Sequence, residues 1–417
     1  MKVQLKAALA LALLVSGSLP AQAQEIPPLD RNRFETSMHD RLRDNTVGYA
    51  FALTGPVNIL AEGADGWAQK PGDGNVRMTV RTPSHIGSVS KLMSGTGLLY
   101  LLREKPISNG TVNQQLDAPV SDYLPQKMKQ AYRDRLSGVT LRNLLMHKSG
   151  LVRFQQADGR DVGYCDGGAP VPDGWINIDY ALSRGAQAPG TQRTYDNCNI
   201  SVLRFVIPRI AFPDQAASID AAHANKSGAA YGAAVEPAYR FLFTTFMYTQ
   251  FFNSVFQATI PTCNPARDLG PDKFAKYYDS LADNSGGFVE PDTCNPQGSF
   301  YMSARQLARF ARQFGFTDKL VSPGIRQRMI APDDIDDRLV FNKFINDASF
   351  LTETSKRHWV YHGGSFRGAS AVVIKLPGRR YGVAVSNSDE ISSDDLAQAL
   401  FDAYLAATKN APRRSNG

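Results

Sequence analysis

Hydrophobic and polar positions along this chain follow two periodicities, a strand-like alternation near both ends and a helix-like spacing between them. Strict alternation predicts half-buried strands. The strand segments predicted in this way cover 47–60, 76–86, 359–364, 371–374 and 381–385. The last two would form a hairpin around a turn at Pro377-Gly378.

Apolar residues at three- and four-residue spacing predict helices elsewhere in the chain. These helices cover 31–44, 88–104, 139–146, 198–210, 303–314 and 394–407. The helix after Gly87 has a wide apolar face, which is typical of a buried helix. Residues 155–190 are rich in Gly, Asp and Pro and predict a long loop.

The order of these elements predicts an α+β fold. Strands at both ends with helices between them indicate one antiparallel sheet built from both chain ends and flanked by helices. The α/β lobe would comprise about 30–90 and 298–410 of the numbered sequence. A mainly helical lobe, about 91–297, would be inserted between the two halves of the sheet.

Residues 1–23 have the features of a secretory signal peptide. Lys2 and Lys6 precede an apolar run over 7–15, and Ala21-Gln22-Ala23 fits a cleavage site. We expect cleavage after about Ala23, which leaves one domain over 24–417 in the periplasm or outside the cell. The run is too short to span a bilayer, and no other long apolar segment follows, so no membrane span is expected.

The charge of the chain gives no support for a nucleic-acid partner. Its 417 residues have a formal net charge of +7, which falls to +5 without the two lysines of the signal peptide. The remaining Lys and Arg residues do not cluster with aromatic residues, as they would in a nucleic-acid surface.

Four cysteines in an exported chain indicate two disulfide bonds, for which three pairings are possible. We favour Cys165–Cys198 with Cys263–Cys294, because each pair closes a loop of about thirty residues. No Cys-x-x-Cys pair is present, so a zinc site is not expected, and nothing indicates another metal or a cofactor.

The most informative chemistry lies in Ser88-Val89-Ser90-Lys91, at the start of the predicted buried helix. A serine three residues before a lysine puts both side chains on one helix face, about one turn apart. A serine hydroxyl becomes a strong nucleophile when an adjacent base takes its proton, and a lysine amine in a cleft can be that base. Ser90 lies on the wrong face for this role.

Two further motifs follow in chain order. Tyr195-Asp196-Asn197 directly precedes a predicted helix, and His362-Gly363-Gly364-Ser365 runs along a predicted strand. Glycines in a strand let a ligand lie close to the backbone. Taken singly, Tyr195 also fits an ordinary core tyrosine and Asn197 a helix cap.

Ser-x-x-Lys, then Tyr-x-Asn, then a His-Gly-Gly strand resembles the serine β-lactamase-like superfamily. That superfamily contains class C β-lactamases, D-Ala-D-Ala carboxypeptidases, D-aminopeptidases and family VIII carboxylesterases. The segments that look like family segments are 86–91, 139–151, 189–195, 298–310 and 362–368. The resemblance implies a β-lactamase/transpeptidase-like fold.

The resemblance also implies roles for individual residues. Ser88 would be the nucleophile, Lys91 would hold or accept its proton, and Tyr195 would serve as base and proton relay. Asn197, His362, Gly363 and Gly364 would bind the substrate. The backbone N–H groups of Ser88 and Ser365 would form the oxyanion hole.

His362 stands where class C β-lactamases have lysine, and this difference bears on the substrate. A lysine would be a fixed cation for the β-lactam carboxylate, whereas histidine is mostly neutral at pH 7. We therefore expect an exported serine hydrolase acting on small or medium esters. A D-Ala-D-Ala carboxypeptidase or D-aminopeptidase, a β-lactamase, and a penicillin-binding sensor without turnover remain open, with small-molecule or peptidoglycan-derived substrates.

Two further histidines and an aromatic segment have structural interpretations. His85 and His147 flank the motifs and read as structural residues. Eight aromatic residues over 239–256 are typical of a core, although they would also suit an acyl-binding wall. An α/β-hydrolase is disfavoured because no Gly-x-Ser-x-Gly elbow is present.

Overall fold

A computed structural model describes residues 28–151, 154–155, 161–162, 182, 186, 188–256, 260–288, 294–330, 338–341, 343–344 and 359–409. The predicted signal peptide, most of the predicted loop over 155–190, and Cys165 lie outside these residues. The α-helices of the described part are, in chain order, α1 (Arg31–Leu42), α2 (Val89–Glu104), α3 (Val112–Gln115), α4 (Gln126–Tyr132), α5 (Leu141–Leu145), α6 (Asn197–Ser201), α7 (Leu203–Ala211), α8 (Pro213–Ala222), α9 (Gly228–Thr245), α10 (Asn253–Phe256), α11 (Pro265–Leu269), α12 (Ala304–Phe316), α13 (Pro323–Ile330) and α14 (Ser393–Lys409).

The strands of the described part form one large sheet and two small ones. They are β1 (Gly48–Thr54), β2 (Ile59–Gln69), β3 (Val76–Arg77), β4 (Ser84–His85), β5 (Phe154–Gln155), β6 (Asp161–Val162), β7 (Tyr301–Met302), β8 (Lys343–Phe344), β9 (Val360–Phe366), β10 (Ala369–Leu376) and β11 (Arg380–Ser386). The large sheet has the order β3-β2-β1-β11-β10-β9-β8. All its neighbouring strands are antiparallel.

The centre of this sheet joins the two ends of the chain. β1 pairs with β11 so that Phe51 lies opposite Ala384. The backbone N–H of Asp30 donates to the carbonyl of Ala407 at 3.0 Å, which ties the start of α1 to α14. The predicted antiparallel sheet from both chain ends is therefore confirmed. The proposed division into lobes near residues 91 and 298 stays a prediction.

Helices cover the sheet on both faces. Successive side chains of a strand point to opposite faces of the sheet, so each strand contributes to both cores. Tyr49, Phe51 and Leu53 of β1 belong to the core beneath α1 and α14. Ala50 and Ala52 point the other way, into the larger core that contains α2 and α12. α2 is buried along most of its length, as its sequence predicts.

The predicted strand over 76–86 is wrong in its middle, where β3 and β4 are separated by a turn. The N–H of Thr82 donates to the carbonyl of Thr79 at 3.0 Å, and the two hydroxyls lie 2.8 Å apart. Threonine hydroxyls that bond to nearby groups compete with a sheet ladder. Alternation alone does not reveal this local competition.

The aromatic stretch over 239–256 runs through α9, a π-helical segment (Phe246–Phe252) and α10. Six of its eight rings are buried in the core, namely Tyr239, Phe243, Phe246, Phe251, Phe252 and Phe256. This favours the core interpretation over an acyl-binding wall. None of the helices in the described ranges is long and apolar enough to cross a membrane.

The disulfide bond Cys263–Cys294 is confirmed. Cys198 is buried and disulfide-bonded. Because Cys165 lies outside the described residues, its part in the second predicted pair stays a prediction.

Candidate active site

The turn before α2 holds Ser88 at the N-terminus of the helix. Gly87 has a left-handed φ of 48°, and Ser88 is the N-cap residue of α2. A Cβ atom on Gly87 would lie 2.7 Å from the backbone nitrogen of Ser365. Glycine is therefore required here both for its backbone conformation and for the close approach of β9.

Lys91 contacts Ser88 directly. Its Nζ lies 2.8 Å from the Ser88 Oγ and also 2.8 Å from the carbonyl oxygen of Gln297, to which it donates. The lysine side chain is buried, whereas Ser88 is half-buried and within reach of a ligand. A proton can pass between the amine and the hydroxyl over this distance.

The segment that carries Gln297 lies along α2 and fixes the lysine. Ser94 Oγ donates to the carbonyl of Pro296 at 2.8 Å, and the N–H of Phe300 donates to Ser90 Oγ at 3.1 Å. The Cys263–Cys294 disulfide anchors the same segment just before it. Gln297 could not be found from sequence, because its backbone carbonyl and not its side chain contacts the lysine.

Ser90 has a different role from Ser88, as its position on the helix predicts. Its hydroxyl faces Phe300 and is buried. The nucleophile assignment therefore falls on Ser88.

Tyr195 lies at the mouth of the site, over the lysine. Its ring centroid is 5.2 Å from the Lys91 Nζ. The side chain is 36% exposed, which separates it from an ordinary core tyrosine. Its ring centroid also lies 4.5 Å from that of His147.

His147 follows α5 with a left-handed φ of 55° and is buried beneath Tyr195. Its Nδ1 lies 3.1 Å from the carbonyl oxygen and 3.3 Å from the backbone nitrogen of Asp196. Burial lowers the pKa of His147 well below its ordinary value, and the nearby positive charge of Lys91 adds to this effect. His147 is therefore neutral and supports Tyr195, a contact that sequence reasoning missed.

Asp196 and Asn197 begin α6 beside Tyr195. The Asp196 carboxylate accepts from the N–H of Cys198 at 2.8 Å, so Asp196, and not Asn197, is the helix cap. The Asn197 Oδ1 is buried and has no hydrogen-bond partner among the described residues. A buried amide oxygen without a partner is suited to accept a hydrogen bond from a bound ligand.

β9 packs against the turn that carries Ser88. A Cβ atom on Gly364 would lie 2.1 Å from the carbonyl oxygen of Ile86 and 2.7 Å from the backbone nitrogen of Ser88. On Gly363 it would lie 2.5 Å from Ser393 Oγ, on the other face of the strand. The two glycines thus let β9 pack against the turn of Ser88 on one side and α14 on the other.

His362 lies two residues before Gly364 and on the same face of β9, toward α2. Its side chain is fully buried, and its Nδ1 lies 3.0 Å from the carbonyl oxygen of Gly363. The proximity of His362 also contributes to the lowered pKa of His147. His362 thus lies in the interior of the site.

His85 supports the site from behind. Its ring packs against Tyr301 and Phe366 with centroid distances of 5.1 Å and 4.5 Å. The N–H of Gly87 donates to its Nδ1 at 3.2 Å. Burial lowers the pKa of His85 to about 3, so the ring is neutral and holds the turn before Ser88.

The structure thus brings together Ser88, Lys91 and Tyr195, with Asn197 and the glycines of β9 on either side. Among the described residues, no group of three or more His, Cys, Asp or Glu side chains is placed to hold a metal ion. The chemistry available at this site is proton transfer to and from a serine.

Known proteins share these features. A family profile described as Beta-lactamase matches residues 31–222, which include Ser88, Lys91, Tyr195 and Asn197. A search of curated proteins finds no match.

Solved structures share the fold over most of the chain. A β-lactamase/D-alanine carboxypeptidase from Pseudomonas syringae has a TM-score of 0.62 at 16% identity, over 91% of this chain and 99% of that one. The D-alanine carboxypeptidase AmpC from Burkholderia cenocepacia has a TM-score of 0.61 at 17% identity, over 92% and 100%. FmtA from Staphylococcus aureus has a TM-score of 0.60 at 17% identity, over 95% of both chains. The profile and the common fold confirm the resemblance that the three motifs indicate.

Proposed function

We propose that this chain is a member of the serine β-lactamase-like superfamily, forms an acyl-enzyme on Ser88 and hydrolyses small or medium carboxylic esters. The observation that carries the proposal is the 2.8 Å contact between Ser88 Oγ and Lys91 Nζ, beneath the exposed ring of Tyr195. Nucleophile, base and proton relay occupy adjacent positions in this arrangement.

Acylation begins when the Ser88 hydroxyl gives its proton to the Lys91–Tyr195 pair. Oγ then bonds to the carbonyl carbon of the ester, and the carbonyl electrons move to its oxygen. The N–H groups of Ser88 and Ser365 donate to this oxyanion, and each such donor contributes about 3 kcal/mol to catalysis. When the intermediate collapses, the ester C–O bond breaks and the leaving alkoxide takes a proton from Tyr195.

Deacylation repeats these steps with water. The pair takes a proton from the water molecule, whose oxygen attacks the acyl carbon. Collapse releases the carboxylic acid and returns the proton to the Ser88 Oγ. Asn197, at the start of α6 beside Tyr195, would contact the acyl group during both steps through its side-chain amide, whose N–H groups can donate to an ester oxygen.

The preference for esters rests on His362. A carboxylate at the end of a β-lactam or peptide substrate needs a lasting positive charge, which lysine provides. His362 is fully buried, and one of its ring nitrogens lies against the backbone of β9. A neutral ester places no such demand on the site.

The second candidate is a D-Ala-D-Ala carboxypeptidase or D-aminopeptidase, with a β-lactamase third. Two of the similar structures are named as D-alanine carboxypeptidases, which favours this alternative. The esterase and these alternatives all pass through an acyl-enzyme on Ser88. They differ in the acyl group that is bound and in the group that leaves.

The test is a substrate panel with the purified protein. p-Nitrophenyl acetate, butyrate and octanoate, nitrocefin and a D-Ala-D-Ala peptide are compared for wild type and Ser88→Ala. We expect ester turnover that falls at least about a thousandfold in the variant. Nitrocefin or peptide turnover without ester turnover would replace the ester proposal. Stoichiometric penicillin labelling without turnover of any substrate would favour a sensor.

We also propose that the protein is exported and that residues 1–23 are removed. The basic start, the apolar run and the Ala-x-Ala site support this proposal. Mass spectrometry of the protein from a periplasmic fraction should show a new N-terminus near Gln24. An intact N-terminus on cytoplasmic protein would refute export.

A further inference from the structure

A cavity of about 780 Å³ lies away from the candidate active site, and none of the proposed catalytic residues lines it. It is bounded by α12, by the ends of β1 and β2, and by α11 with the residues around it. Its volume falls in the range of small-molecule binding sites.

One side of the cavity is strongly basic. α12 contributes Arg305, Arg309 and Arg312, which share one face because they are spaced by four and three residues. Arg81 and Lys273 approach from the loops on either side, and both are exposed. Five cations therefore surround one concave surface.

Acidic partners neutralise only part of this charge. Glu62 forms an ion pair with Arg305, Asp272 lies 3.9 Å from Lys273, and Asp268 is the acidic residue in the lining. The hydrogen bond from Arg305 lowers the pKa of Glu62, and the charge of Arg81 lowers it further. Within the part of the chain that the structure describes, neither Arg81 nor Arg312 has a carboxylate within 4 Å. Arg312 instead donates to the carbonyl oxygen of Val57 at 2.8 Å, which fixes its direction.

The rest of the lining combines polar residues with an apolar side. The apolar residues in the lining are Ile59, Pro83, Phe256, Ile260, Leu269 and Ala308, of which Phe256 and Ala308 are buried. Ile260 and Leu269 are among the few large apolar side chains that remain exposed in the described residues. A ligand that covered them would remove apolar surface from water.

We propose that this cavity binds a small organic anion, with an apolar body against the Ile260–Leu269 side and its oxyanion head group attracted by the positive charges of Arg81 and Arg312. Carboxylate, phosphate and sulfonate heads share the chemistry that a guanidinium recognises, because each offers oxygens to its N–H groups. The apolar side distinguishes such a ligand from inorganic phosphate. The inference is independent of the proposed esterase function.

The test measures binding to the full chain. 8-Anilinonaphthalene-1-sulfonate combines an aromatic body with one sulfonate, and N-phenyl-1-naphthylamine is its neutral analogue. We expect saturable fluorescence enhancement with the sulfonate, at least about tenfold weaker binding of the neutral analogue, and displacement by decanoate but not by decanol.

Charge variants locate the binding site. Arg81→Gln/Arg312→Gln should weaken sulfonate binding about tenfold or more. Lys273→Glu, a change at an exposed position, should weaken it in the same direction. Arg133→Gln, an exposed change directly after α4 and outside the cavity, is the matched control and should leave the affinity unchanged. Any hydrolysis of p-nitrophenyl butyrate should be the same in all variants.

Equal affinity for the sulfonate in wild type and in both charge variants would overturn the proposal, as would equal binding of the neutral analogue. Displacement by phosphate as effective as displacement by decanoate would also overturn it, because the apolar body would then have no role. These outcomes do not depend on whether Ser88 is catalytic.

Discussion

Ser88 and Ser90 are neighbours on one helix turn but have different environments. The Ser88 hydroxyl faces a lysine amine, whereas the Ser90 hydroxyl accepts the N–H of Phe300 in the core. Sequence alone distinguishes them only by helix geometry, and the structure agrees with that geometry. The position of Gln297 was not predictable, because a distant loop supplies only a carbonyl to Lys91.

Ser90→Ala tests this difference. The variant should leave the buried N–H of Phe300 without an acceptor and lower the free energy of unfolding by about 1–3 kcal/mol. Turnover should stay within about twofold of wild type, since the nucleophile is unchanged. Urea unfolding and an ester assay measure the two effects. A folded Ser90→Ala protein without turnover would contradict the assignment of Ser88.

His85 should make stability depend on pH. Its pKa is about 3 in the native state and near its ordinary value of 6.5 in the unfolded chain. The unfolded state therefore binds the proton first, and the free energy of unfolding falls as pH decreases from above 6.5 toward 3. The slope from this one residue is at most about 1.4 kcal/mol per pH unit.

His85→Asn isolates that contribution. Asparagine can still accept from the N–H of Gly87 but has no proton to gain. The variant should lose stability at pH 7 yet show a shallower slope between pH 6.5 and 4. Urea unfolding at several pH values measures both slopes. Parallel slopes would show that His85 does not remain neutral in the native state.

At the scale of elements, the site depends on the contact between β9 and the turn before α2. The His-Gly-Gly motif predicted a strand with a close approach, and the structure confirms that strand over Val360–Phe366. The partner of the approach is backbone from Ile86 to Val89. This contact could not be predicted from sequence, because it involves backbone atoms of the turn and not its side chains.

Gly364→Ala should therefore impair turnover more than stability. The added methyl group would lie 2.1 Å from the carbonyl oxygen of Ile86, so β9 must move away from Ser88. We expect kcat/KM to fall about a hundredfold, because misplaced donors stabilise the oxyanion poorly. Gly324→Ala in α13 is the control, since a Cβ there meets nothing within 4 Å. Normal turnover of Gly364→Ala would place the oxyanion elsewhere.

The strand over 76–86 shows where element prediction failed. The alternation there is genuine, but two threonine hydroxyls close a turn in its middle. Patterns of burial report which residues face the core, and not whether the backbone between them is paired. The long helices and the central strands were predictable because their patterns are long.

For the whole molecule, the predicted α+β architecture and the order of its motifs needed only the sequence. His147 beneath Tyr195 and the basic cavity beside α12 required three dimensions, because each assembles residues from separate segments. The Cys263–Cys294 disulfide belongs to this scale, since it limits the freedom of the unfolded chain.

Removing that disulfide should lower global stability. The bond joins residues 31 positions apart, and a loop of that length corresponds to about 3–4 kcal/mol of unfolded-state entropy. Cys263→Ala/Cys294→Ala should reduce the free energy of unfolding by about this amount, as measured in urea. Reduction of the wild type should cost at least as much. An unchanged unfolding midpoint would contradict the expectation.

The sheet that unites both chain ends also has a consequence for biosynthesis. A ribosome makes Ser88 and Lys91 early, but β9 is among the last elements that it completes. A chain released in between would carry the proposed nucleophile without the N–H of Ser365 to stabilise an oxyanion. Ser88 should therefore not be acylated until synthesis has nearly ended, and incomplete chains should not form an acyl-enzyme.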